Sequence, residues 1–145
     1  MSIMEVEFKL ELMEVYMTQE QFSKKLIKQF PEKKAALIEH YQNYGELLGH
    51  VFFAEEINIP LIELLTTNTD IEKILAYCAF IEDMWFCGND ITKNIVEVTI
   101  LERLTDDIVI WKRFGRFISK RFKQAINNEI IPHFREWLDV SVLRE

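Results

Sequence analysis

Apolar residues recur at intervals of three and four along most of this chain, the spacing of one helix face. Strict alternation occurs only at the start, where Val6, Phe8, Leu10 and Leu12 interleave with Glu5, Glu7, Lys9 and Glu11. The same stretch carries Ile3, Val6, Leu10, Met13 and Met17 at helical spacing. Its Glu, Leu, Met and Lys are strong helix formers and no second strand offers itself for pairing, so a helix is the expectation for residues 1–17. Thr18 with Gln21 has capping-box spacing, and Phe22, Leu26, Ile27 and Phe30 then share a face before Pro31. The next helix runs from Glu32 to about Leu48 on Leu37, Tyr41, Tyr44 and Leu48, with Gly49 as its stop.

Between His50 and Pro60 the period fails, which predicts an irregular link into a short helix from Pro60 to Leu65. Thr69 or Asp70 can start a helix with Ile71, Leu75, Cys78, Ile81 and Trp85 inward, closed by Gly88. Asn89 or Asp90 can cap the next, with Ile91, Ile95, Val98, Leu101 and Leu104 inward. Thr105 to Asp107 caps a helix through Ile108, Trp111 and about Phe114. Gly115 breaks it, and a last segment runs from Arg116 towards Val140 with a kink or restart at Pro132. The pattern predicts an all-α fold of short antiparallel helix pairs, either an armadillo- or HEAT-like right-handed stack or a compact helical bundle. One domain over 1–145 is expected, with 1–17 as an appended segment. A chain of this length buries roughly 70% of its extended surface, enough for one core.

Composition adds a charge map. The chain carries 49% apolar residues and a net charge of −7, and the charge is unevenly spread. Ala35 to Trp111 holds fourteen acids against Lys73, Lys93 and Arg103, whereas Lys112 to Lys123 holds six bases and no acid. An acidic body repels phosphate backbones and favours a basic protein partner, so no nucleic acid is expected. No apolar run reaches the ~20 residues that cross a bilayer. No secretory leader is read at the start, and Cys78 and Cys87 sit in apolar surroundings, which predicts a cytoplasmic chain with two buried thiols and no disulfide.

Candidate chemistry is sparse. Cys87 falls at a helix C-terminus, the wrong end of the dipole to activate a nucleophile. His40, His50 and His133 lack metal-ligand spacing, His50 with Glu55 and Glu56 being the nearest approach to a cluster. Four scattered glycines build no phosphate loop. The expectation is a protein without catalytic residues, metal or cofactor. Glu82 and Glu102 border the predicted core and read as structural tethers between helices. Glu46, Glu55, Glu56, Glu63, Asp70 and Glu72 lie in loops and helix ends where they are free to face a partner.

The stretches "GELLGHVFF", "NIPLIELL", "ILAYCAFIEDMWFCGNDITKNIVEVTILERL" and "DDIVIWKRFGRFISK" resemble a family of small bacterial all-helical proteins of uncharacterised biochemistry. The positions that carry the likeness are Phe80, Glu82, Gly88, Asn89, Leu101, Glu102 and Leu104, within about residues 37 to 123. The resemblance implies an association with toxin cassettes, in which small acidic proteins act as immunity partners. The leading expectation is therefore an immunity protein that covers a basic toxin. The alternative is a structural or adaptor protein that forms a homodimer through exposed Phe52, Phe53, Trp85 and Trp137.

Overall fold

The computed structural model describes residues 2–7 and 16–130, and over these it is an all-α bundle. Residues 3–7 are helical. The rest of the expected N-terminal helix, residues 8–15, lies outside the described residues, as do Pro132, His133 and Trp137.

Met17 is not helical. It forms an isolated parallel bridge to Gly88: its N–H donates to the Cys87 carbonyl at 2.8 Å, and its own carbonyl accepts from Asn89 N at 2.9 Å. Helix α1 (Gln19–Gln29) starts on a full capping box, in which Thr18 Oγ1 accepts from Gln21 N and Gln21 Oε1 accepts from Thr18 N. Its Phe22, Leu26 and the following Phe30 enter the core, and Phe30 stacks on Tyr77 with ring centres 4.7 Å apart.

A 3-10 turn (Pro31–Lys33) leads into α2 (Lys34–Tyr44). Its inward residues are Leu37 and His40; Tyr41 and Tyr44, expected inside, are exposed. The terminator is Gly45 in the left-handed region at φ 74°, so Gly49 stops nothing. Instead Gly49 begins α3, which runs as Gly49–Phe53, a π-helical turn Ala54–Asn58, and Ile59–Thr67. The stretch expected to be irregular is thus helical. The wide turn inserts a residue, and the buried pairs Phe52–Phe53 and Ile57–Asn58 are five apart rather than three or four.

Asn68 and Asp70 both take positive φ, and Asp70 caps α4 (Ile71–Cys87) by accepting from Lys73 N. Helix α4 is the centre of the molecule: Ile74, Tyr77, Cys78, Phe80, Ile81, Met84 and Trp85 are buried around most of its circumference. Ile71 and Leu75, expected inside, are exposed. Gly88 and Asn89 join it to α5, which runs as Asp90–Ile95, a π turn Val96–Leu101, and Glu102–Leu104. Here too the widened turn moves the inner face. Ile95, Val96, Ile100 and Leu101 are buried while Ile91 and Val98 face out.

Helix α6 (Ile108–Gly115) is capped by Asp107, whose carboxylate accepts from Val109 N and Ile110 N. From α6, Arg113 donates to the Leu65 and Thr66 carbonyls at 2.7 and 3.0 Å, closing the C-terminal end of α3. The last segment does not continue from Arg116. The chain turns through Arg116–Ser119, and α7 (Lys120–Ala125, then the π turn Ile126–Ile130) starts on the Ser119 side chain. Among the described residues, no helix is long and apolar enough to cross a membrane.

Candidate functional site

Helix α3 places the predicted acids. Its exposed positions include Glu55, Ile59 and Glu63, four residues apart, so the three share one solvent edge. Ile59 is 50% exposed between the two carboxylates. This apolar position was missed in sequence because the helix was not read through the widened turn; the four-residue spacing is the signal that finds it.

The remaining acids divide by what they touch. Glu46 is exposed in the loop before α3, and that loop is held from behind: Leu48 N donates to His40 Nε2 at 2.9 Å, with the ring packed against Tyr44 and Phe52. Glu56 is not free for a partner. It is half-buried and pairs at 4.0 Å with Lys33, whose ammonium also lies over the Tyr77 and Phe30 rings. Burial pushes the Lys33 pKa down, with Glu56 and Glu32 pulling the other way. Asp70 is exposed but engaged as the α4 cap, and Glu72 is exposed in the first turn of α4, where the helix dipole favours it. Glu63 borders a shallow hollow shared with Lys73. The acids are therefore strung along α3 and both its ends, about 28 Å at helical rise, rather than gathered at one point.

The two predicted tethers differ. Glu82, half-buried on α4, accepts from Ser119 N at 3.1 Å and from Ser119 Oγ, meeting the N-terminus of α7. Glu102 is exposed at the rim of a hollow with Val98, Arg103 and Asp106.

Other candidate groups change place. His50 turns to α5, its Nδ1 lying 2.6 Å from Thr99 Oγ1. Among the described residues, no three His, Cys, Asp or Glu side chains group as a metal site. Cys78 is buried as expected, and burial, helped by the Glu82 carboxylate, pushes its thiol up to about 12. Cys87 is exposed, a correction that follows from its place at the last turn of α4. Phe52, Phe53 and Trp85, expected to mediate self-association from the surface, are buried in the core.

Comparison with curated proteins and with solved structures gives no match. Residues 23–135 match a domain of unknown function, from the middle of α1 through α7, and by this the chain belongs to the DUF7674 family.

Proposed function

We propose that this chain is a non-enzymatic cytoplasmic binding protein that docks on a basic protein partner through the outer edge of α3. The observation that carries the reading is the run Glu55, Ile59, Glu63: an exposed apolar position flanked by two exposed carboxylates on one helix. Acids at such an edge steer a basic partner into register, and the apolar residue between them supplies desolvated contact. Glu46 and Glu72 extend the same sign of charge beyond the two ends of the helix.

The finer reading is an immunity protein whose acidic edge covers the basic cleft of a toxin. Its motive is electrostatic: a cleft built for phosphate attracts carboxylates, and an acidic protein seated there competes with the substrate.

The test is affinity capture from the native host, with the wild-type chain and a Glu55→Lys/Glu63→Lys variant. The reading expects a basic protein that is lost as salt rises and is not retained by the variant, with association slowed by about tenfold or more. A partner held equally by both chains would place docking elsewhere. Recovery of the chain alone as a discrete dimer would replace this reading with self-association.

A further inference from the structure

Away from the acidic edge, a hollow of about 430 Å³ opens between the C-terminal end of α4, the first turns of α5 and one face of α7. Small-molecule sites fall in the range of about 300–1,000 Å³. On α7, Arg121, Gln124 and Asn128 recur at three and four residues and line one wall together. Lys93 of α5 lines another.

Both cations rest on aromatic faces. The Arg121 guanidinium carbon is 3.8 Å from the Phe86 ring centre, and Lys93 Nζ is 5.6 Å from the Trp85 ring and 5.5 Å from that of Tyr16. A guanidinium lying on a ring keeps its N–H edge turned outward, and a cation held by a ring face is fixed without losing its charge to a carboxylate.

We propose that this hollow binds the phosphate monoester of a small sugar or polyol. Cations on two separate walls are met at once by a dianion with three acceptor oxygens, whereas a single carboxylate suits one arginine fork. Gln124 and Asn128 donate and accept, and Glu129 in the same lining only accepts; together they match hydroxyl groups. A ligand that was all anion would leave Glu129 opposed. Because the chain as a whole is acidic, affinity here is local to this hollow and independent of the docking edge on α3.

Calorimetric titration of the full chain at fixed ionic strength with glucose 6-phosphate, inorganic phosphate and glucose tests the proposal. Saturable binding is expected for the ester, weaker binding for inorganic phosphate, and none for glucose. Arg121→Ala, at an exposed position, weakens both anions by about tenfold or more, and Lys93→Ala does the same. Gln124→Ala, also exposed, weakens the ester and leaves inorganic phosphate unchanged. Thermal melts identify any variant that has lost its fold, and Arg121→Ala alone then carries the result. No saturable heat with the ester up to about 10 mM, or ester binding unchanged in Arg121→Ala, would overturn it.

Discussion

Asn58 Nδ2 donates to the Ile100 carbonyl at 3.0 Å, a buried bond that joins the π turn of α3 to the π turn of α5. Each widened turn shifts its helix by one residue, and each brings a buried group to the other. The amide is fully buried, and among the described residues its Oδ1 has no hydrogen-bond partner. A main-chain acceptor at this depth needs its donor. Asn58→Ala removes that donor and is expected to cost about 2 kcal/mol, read as a loss of several degrees in Tm. An unchanged melting temperature would mean that the two turns hold their register by apolar packing alone.

Four of the N-caps of this fold were legible because their chemistry is local, whereas the Ser119 cap of α7 was not read. Thr18, Asp70, Asn89 and Asp107 each accept from a backbone N–H two or three residues ahead, within reach of any short reading window. The π turns were not legible, since an inserted residue breaks the period on which helix reading depends. That one cause turned the start of α3 into an expected loop and put Val98 inside. In the candidate site, the exposure of Glu55 and Glu63 follows from their place on the helix. The engagement of Glu56 does not, because Lys33 reaches it from a different element.

Two glycines are fixed by different physics. At Gly88 the backbone φ is ordinary, −81°, but an added Cβ would lie 2.2 Å from the Met84 carbonyl and 2.8 Å from Thr92 Cβ. Gly88→Ala must therefore move the turn that also receives Met17, at a cost of about 2–3 kcal/mol. At Gly45 there is open space but φ is 74°. Gly45→Ala costs about 1 kcal/mol through backbone strain alone. Denaturant melts of both variants check the order, and Gly45→Ala as the more damaging change would contradict the packing argument.

Glu82 and Ser119 connect the central helix to α7 through two hydrogen bonds to one carboxylate. The same Ser119 oxygen accepts from Phe122 N at 3.1 Å, so the pair both docks and caps the helix. A double-mutant cycle with Glu82→Gln and Ser119→Ala is expected to return a coupling of about 1 kcal/mol, reduced by the partial exposure of the pair. Additive effects would reduce Glu82 to a surface acid.

Alkaline pH gives a test with a definite sign. Burial pushes the Cys78 thiol from 9.0 up to about 12, with the Glu82 carboxylate adding to it. Burial, then Glu32 and Glu56, raises the Tyr77 hydroxyl from 10.0 to about 12. The unfolded chain releases both protons near their ordinary values while the native chain still holds them, so it binds fewer protons and stability falls as pH rises. This contribution is fully present below pH 9.0 and is lost as pH rises towards about 12. Lys33 works in the opposite sense, because its lowered native pKa lets the unfolded state keep its proton longer; that compensation ends once 10.5 is passed. Urea melts at about pH 8, 10 and 11.5 should show the steepest loss in the upper interval, and Tyr77→Phe should flatten it. Thiol titration of the native chain at about pH 8 should detect Cys87 alone, and unfolding should release Cys78. Rapid native reaction at Cys78, or stability level through the alkaline range, would show that the core around α4 admits water and would remove the desolvation on which both expectations rest.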